Sequence, residues 1–404
     1  MTTTDKNSKL LEVKDLKTYF YTEEGVVKAV DGVSFNIYED EVLGLVGETG
    51  CGKSVTALSL LRLVRAPGEI EEGKVIFNGL DLLSISEKKM RKFRGNDITM
   101  IFQDPLNSLN PVMTVGTQIG EVFELHQKDE IQRQYEQKLN EWHEKQEEIK
   151  KLEKKLKDET LSDKRKTRIE KKIERLEEET YWRPTRKRIL RQKSKNILEE
   201  VGIANPEGIL DRYPHELSGG MRQRVMISMA LSCNPALLIA DEPTTALDVT
   251  IQAQILDLMK ELKDKFNTSI MMITHDLGII AEMCDRVAVM YSGNIVETAP
   301  AAPLFKDPKH PYTKGLIAAI PKLDSQKEKL ETIRGSVPNL IYPPKGCRFH
   351  PRCDERMEVC DEVKPKLKET EDNHFVACHL FDPKYNDSPK YQWEKEELEQ
   401  VKKV

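Results

Sequence analysis

At 404 residues, with 63 basic and 68 acidic side chains, a net charge of -5 and a mean hydropathy of -0.55, the chain is long enough for two or three domains without disulfide staples. Near-balanced charge gives no indication of nucleic acid or an anionic membrane as partner. No apolar run reaches the roughly 18 residues of a membrane-spanning helix, and the first residues lack the basic-then-apolar build of a signal peptide. The chain is therefore expected to be soluble and cytoplasmic, and able to dock on a membrane protein.

In chain order, residues 10 to 37 alternate apolar and polar around Thr22-Glu23-Glu24-Gly25, the pattern of antiparallel strands joined by a hairpin. The trio Tyr19-Phe20-Tyr21 ends one strand. It serves either the core or stacking on a nucleotide base, for which Phe20 fits the spacing best.

The run 41 to 46 (EVLGLV) has the continuous apolar character of a buried parallel strand, and 54 to 64 (SVTALSLLRLV) is apolar at helical spacing. Between them Gly47-Glu48-Thr49-Gly50-Cys51-Gly52-Lys53-Ser54 spells G-x-x-x-x-G-K-S, followed by Val55. The glycines let backbone N–H groups turn toward phosphate oxygens, the next helix adds its N-terminal dipole, and Lys53 offers a charge to β- and γ-phosphates. The Ser54 hydroxyl is placed to hold Mg2+. A glycine-rich turn that merely precedes Lys-Ser is the competing reading, and the order strand, loop, helix argues against it. Residues 98 to 105 (ITMIFQDP) follow as an apolar strand ending at Gln103, an amide able to ligate Mg2+ or orient water.

From about Leu125 to Leu190 the composition changes, and more than half of residues 128 to 188 are charged. Ile131, Tyr135, Leu139, Trp142, Ile149, Leu152 and Leu156 keep a heptad-like spacing; after the break at 158 to 163 a second seam runs through Ile169, Ile173, Leu176 and Tyr181. Two narrow seams and a short turn predict an antiparallel coiled-coil hairpin, either a solvated spacer or a docking arm.

Three motif segments follow. Residues 213 to 224 (YPHELSGGMRQR) open a helix at Ser218, an N-cap type, with Gly219 and Gly220 exposing N–H groups at a second anion-binding terminus. Residues 237 to 242 (LLIADE) are a strand ending in two carboxylates: Asp241 suits water-mediated Mg2+ coordination, and Glu242 suits activation of a water in line with a γ-phosphate. Ala246-Leu247-Asp248 comes next, and residues 269 to 276 (SIMMITHD) place His275 at the end of another buried strand.

Phosphate loop, Gln103, LSGGMRQR, LLIADE, Asp248 and His275, in this order, resemble the nucleotide-binding domain of ABC transporters. The resemblance implies that ATP is held between two such domains, so that Ser218, Gly219 and Gly220 serve the partner's nucleotide. It makes Glu242 the catalytic carboxylate, His275 the γ-phosphate switch and Asp248 a communicator across the dimer, and it has Gln103 sense both Mg2+ and the membrane subunit. Met221 stands where many members have Gln, a departure common in one branch. Residues 310 to 313 (HPYT), 333 to 338 (IRGSVP) and the stretch from 344 to 379 look like the C-terminal extension of oligopeptide/dipeptide permease ATPases of the D type. The likeness covers about residues 10 to 382, except for the charged hairpin.

Cys347, Cys353, Cys360 and Cys378 are spaced C-x5-C-x6-C-x17-C, without the C-x2-C knuckles of zinc ribbons. Four thiolates suit tetrahedral Zn2+ or an iron–sulfur cluster, with free thiols a third reading and His350, His374 and His379 as lower-ranked ligands. The family resemblance favours [4Fe-4S], which would tie down a tail that has little core of its own.

The expected fold is an α/β P-loop core with an antiparallel β subdomain. Residues 1–124 form its N-terminal part, 125–190 the coiled-coil insertion in a helical subdomain, and 191–300 the signature-to-His part. Residues 301–382 form a cysteine-rich metal-binding extension and 383–404 a charged tail. The function implied is ATP hydrolysis with Mg2+, driving oligopeptide or dipeptide import at the cytoplasmic face of the membrane. The implied partners are a homologous F-type ATPase subunit, two permeases and an external peptide-binding lipoprotein. An importer of another small solute such as nickel shares much of this design. A DNA-repair or chromosome-type ATPase would have longer arms, commonly tipped by a Cys-x-x-Cys hook, and a basic path for DNA. A non-enzymatic docking protein would not need Lys53, Glu242 and His275 intact.

Overall fold

The computed structural model describes residues 8–103, 108–157, 162–245, 247–320, 333–385 and 388–389. Ala246, most of the hairpin tip and most of the charged tail lie outside the described residues. The chain divides into two units, Met1–Asp104 with Asn234–Val404, and Pro105–Cys233.

In the first unit the strands are β1 (Lys9–Thr22), β2 (Gly25–Tyr38), β3 (Val42–Val46), β4 (Gly68–Phe77), β5 (Leu80–Asp81) and β6 (Ile98–Ile101), followed by β7 (Leu237–Asp241), β8 (Ser269–Ile273), β9 (Arg286–Tyr291), β10 (Asn294–Pro300), β11 (Lys368–Glu371) and β12 (His374–Val376). A four-stranded antiparallel sheet has the order β2-β1-β4-β5, and the expected hairpin turns at Glu23-Glu24, with Thr22 opposite Gly25. The eight-stranded sheet runs β11-β12-β10-β9-β3-β8-β7-β6. Its members β9, β3, β8, β7 and β6 are parallel. Every residue of β3, β7 and β8 is buried, which is why these strands read as unbroken apolar runs in the sequence. Leu43, Leu45, Ile239, Met271, Ile273 and Met290 pack in one core with Leu11, Leu16 and Phe77 of the antiparallel sheet. The phosphate loop, Gln103, Glu242 and His275 follow the C-terminal ends of β3, β6, β7 and β8, the crevice where open α/β sheets bind ligands.

The second unit is helical: Val115–His126, Lys128–Leu156, Asp163–Thr180, Arg186–Glu200, Pro206–Leu210 and Gly219–Leu231. Lys128–Leu156 and Asp163–Thr180 form an antiparallel hairpin. Trp142 Nε1 donates to the Thr180 carbonyl at 3.0 Å, while Lys145 pairs with Glu179 and Lys172 with Glu148 across the arms. Ile149 and Leu176 are buried on the two arms, whereas Ile131 is buried where the adjacent Glu130 pairs with Lys193 of the helix Arg186–Glu200. Tyr181, expected there, is 74% exposed, and Thr180 takes the inner position.

The C-terminal extension corrects the metal expectation. Among the described residues no group of three or more His, Cys, Asp or Glu side chains is arranged to hold a metal ion, so neither [4Fe-4S] nor Zn2+ is supported at Cys347, Cys353, Cys360 and Cys378. Burial pushes the thiols of Cys347, Cys353 and Cys378 up to about 12 and raises that of Cys360. Protein contacts anchor the extension instead. β12 pairs with β10 and carries β11, widening the main sheet. Arg348 forms an ion pair with Asp31 of β2 at 2.6 Å. The extension also has core of its own, because Phe349, Tyr312, Met357, Val376 and Ala377 are buried with Tyr291 of β9.

Candidate functional site

β3 ends at Val46 and the helix Lys53–Leu60 begins six residues after Gly47, so the loop 47–54 bridges strand and helix as its sequence predicts. Two glycines are required by space. A Cβ on Gly47 (φ +154°) would stand 2.1 Å from the Met290 carbonyl oxygen, and one on Gly52 (φ +104°) 2.3 Å from that of Ala29. The buried Lys53 ammonium donates to the carbonyls of Gly47 (2.7 Å) and Glu48 (3.0 Å), which draws it over the loop. Thr49 and Gly50 lie in the same turn, Val55 follows in the helix, and Cys51 is fully buried beneath them.

The carboxylates at the end of β7 have different surroundings. Asp241 is buried and accepts from Ser54 Oγ at 3.2 Å. Burial raises its pKa and the charge of Glu242 adds to this, against the Ser54 hydrogen bond. Glu242 turns into the left-handed region (φ +48°), a conformation that costs a non-glycine residue on the order of 1 kcal/mol, and its N–H donates to the Ile273 carbonyl at 2.8 Å. Gln103 Nε2 (2.8 Å) and Thr245 Oγ1 (3.0 Å) donate to its Oε2, and His275 Nδ1 lies 3.1 Å from its Oε1. Burial pushes the Glu242 carboxyl up, but the bonds from His275, Thr245 and Gln103 outweigh it and hold the group below the usual carboxylate range. The result is an ionised carboxylate aimed by three donors, a base that can take a proton from, or orient, a water molecule.

A cleft of about 420 Å3 is lined by Gly47, Glu48 and Thr49 on one side and His275 to Gly278 on another. The structure therefore brings together the loop, Gln103, Asp241, Glu242 and His275. Ser218, Gly219 and Gly220 belong to the second unit, where Ser218 caps the helix Gly219–Leu231 by accepting from Met221 N at 3.3 Å. Asp248 caps the helix Val249–Phe266, accepting from Ile251 N at 3.0 Å. Phe20 packs beside Gly68 of β4, the Tyr19 hydroxyl donates to Asp31, and Tyr21 is 46% exposed.

Three further residues bear on the site. Thr245 is the third donor on Glu242. Tyr312 accepts from Glu48 N through its hydroxyl at 2.8 Å, and Arg352 grips the Glu48 carboxylate at 2.7 and 3.0 Å. Only Tyr312 had a signal in the sequence, as part of the His-Pro-Tyr triplet in the extension.

Comparison with known proteins agrees with this geometry. The ABC transporter family pattern matches residues 30–245, and the pattern for the oligopeptide/dipeptide transporter C-terminal region matches residues 296–360. The oligopeptide transport ATP-binding protein AppD of Bacillus subtilis is 44% identical over 93% of this chain and 98% of its own. A probable peptide ABC transporter ATP-binding protein of Sinorhizobium fredii, y4tR, is 46% identical over 94% and 97%. The dipeptide transport ATP-binding protein DppD of Bacillus subtilis is 43% identical over 93% and 95%. Among solved structures, the dimeric ATP-binding cassette MJ0796 bound to ADP and Pi superposes with a TM-score of 0.51 at 21% identity, covering 72% of this chain and 98% of that one, a likeness of fold. The match of the family pattern to more than half of the chain, and of such relatives to nearly all of it, places it in the ABC transporter family, as an ABC ATPase of the oligopeptide/dipeptide type.

Proposed function

We propose that this chain hydrolyses ATP to drive import of oligopeptides or dipeptides across the cytoplasmic membrane. It would act as a peripheral subunit on the cytoplasmic face; among the described residues no helix is long and apolar enough to cross a membrane. The observation that carries the reading is the convergence of Gln103, Thr245 and His275 on one ionised carboxylate, Glu242, beside the phosphate loop. Glu242 acts as the base toward the attacking water, His275 meets the γ-phosphate, and the loop from Gly47 to Val55 cradles the phosphates with Lys53. Phe20 stacks on the adenine.

The Ser54 hydroxyl and the Asp241 carboxylate, 3.2 Å apart, are hard oxygen donors of the kind Mg2+ takes together with substrate phosphates, and the Gln103 amide oxygen extends the set. Bound there, Mg2+ would neutralise charge on the phosphates. Ser218, Gly219 and Gly220 serve the nucleotide of a partner ATPase subunit, a homologous F-type chain, and Asp248 relays across that dimer. The dimeric form of the related cassette supports this pairing. Two permeases and an external peptide-binding lipoprotein complete the importer, a reading supported by the transport names of the relatives and by the C-terminal match.

Reconstitution into proteoliposomes with the permeases and partner ATPase tests the proposal. ATP hydrolysis and uptake of a labelled oligopeptide are expected to rise together when peptide-loaded binding protein is added. Stimulation by Ni2+ with no peptide uptake would refute peptide as the cargo.

A further inference from the structure

Glu48, the second residue of the phosphate loop, presents an acid beside a site for a polyanion, and residues of the C-terminal extension hold it at two points. Its backbone N–H donates to the Tyr312 hydroxyl at 2.8 Å. Its carboxylate is bound in the fork of Arg352, with Nη1 to Oε2 at 2.7 Å and Nη2 to Oε1 at 3.0 Å. The Arg352 side chain is only 5% exposed and is itself fixed: Nε donates to the Arg334 carbonyl at 2.6 Å and Nη1 to the Tyr291 hydroxyl at 3.3 Å.

Tyr312 is held as firmly. It is fully buried, with its ring centroid 4.6 Å from that of Tyr291 and 5.4 Å from that of Phe349. His310 caps the helix Pro311–Ala318 by accepting from Tyr312 N at 3.0 Å, and His310 N donates to the buried Glu297 at 2.9 Å. The same helix carries Leu316 and leads into Ala319 and Ile320, and all three line the cleft beside the loop. The Gly47–Glu48 peptide, whose N–H is held by Tyr312, is also the one whose carbonyl receives Lys53.

We infer that Arg352 and Tyr312 are positioning residues for nucleotide binding: the C-terminal extension neutralises the acid built into the phosphate loop and sets the orientation of the peptide that holds Lys53. Coulomb's law gives the reason. Without Arg352 the Glu48 charge beside the loop is uncompensated, and a like-charge repulsion at a protein surface weakens anion binding on the order of tenfold. Tyr312 acts through geometry alone. Loss of its hydroxyl leaves one N–H without its acceptor and has a smaller effect, about threefold.

The inference rests on the loop being the nucleotide site, and calorimetric titration of the full-length chain with MgADP separates the two. Lys53→Ala tests the site itself and is expected to abolish binding. Arg352→Gln is expected to raise Kd about tenfold, Arg352→Lys to restore most of the affinity because it keeps the charge, and adding Glu48→Gln to Arg352→Gln to recover most of the loss. A merely structural Arg352 would lower the melting temperature of Arg352→Gln with no rescue by Glu48→Gln. If Lys53→Ala abolishes binding while Arg352→Gln leaves Kd unchanged, or if the double variant binds no better than Arg352→Gln, the clasp is refuted. Should Arg352→Gln fail to fold, Arg352→Lys and Tyr312→Phe carry the test, and unchanged Kd in both refutes it equally.

Discussion

The C-terminal extension and the helical hairpin use their charges in opposite ways. In the extension, Arg352 with Glu48 and Arg348 with Asp31 are ion pairs largely out of water, and His374 is hydrogen-bonded to Glu297 where the two side chains are 3% and 0% exposed. In the hairpin, Lys145 with Glu179 and Lys172 with Glu148 stay solvated, and contacts of that kind contribute little to stability. A buried pair is costly to break because the surviving partner keeps its charge without water. The extension is thus bound to the phosphate loop by contacts that cannot be altered cheaply, whereas the hairpin rests on a thin apolar seam with freely exchangeable surface charges.

The largest effect expected from this contrast is at Glu297, which accepts from Lys309 N, His310 N and His374 Nε2 at 2.7, 2.9 and 2.7 Å. Glu297→Ala should cost about 3–5 kcal/mol in urea unfolding, and a loss near zero would break the contrast. In the hairpin, Leu176→Ala should cost about 2 kcal/mol, at the low end for a core leucine. The change should be seen in hydrogen exchange of the two arms, with ATP turnover unaltered; a turnover defect would show that the hairpin is coupled to the chemistry after all.

A further effect concerns pH. Burial, and secondarily the charge of Lys314, pushes His310 down from 6.5 to about 3. The folded state keeps it neutral while the unfolded chain protonates it, so its contribution is present above pH 6.5 and is lost as pH falls from there toward 3. His310→Asn retains a helix-capping side chain without the titration. Its stability should fall less steeply with acid than that of the wild type, by up to about 1.4 kcal/mol per pH unit. Parallel slopes would mean that His310 is not the group responsible.

Much of this is legible in the sequence because it is local or periodic. The phosphate loop, the carboxylates after β7 and His275 after β8 follow from apolar runs that end in polar residues, and the hairpin seam follows from its spacing. Tyr181 was misplaced by one position because Thr180 reads as polar in sequence, although its hydroxyl bonds to the Leu176 carbonyl and lets it be buried. The clasp on Glu48 was not legible: Arg352 lies 304 residues away in the chain, between two cysteines that drew the chemical reading to themselves. Spacing marks thiols as potential ligands, but it does not reveal that a tail is already pinned by strand pairing and ion pairs.

Glu242 is the group on which the proposed hydrolysis turns, and its most direct test is ATP turnover and ATP binding in Glu242→Gln. The amide keeps the size of the side chain but cannot take a proton, so ATP should bind as in the wild type while hydrolysis falls by at least about 100-fold. Turnover within a few-fold of the wild type would contradict the assignment of Glu242 as the base.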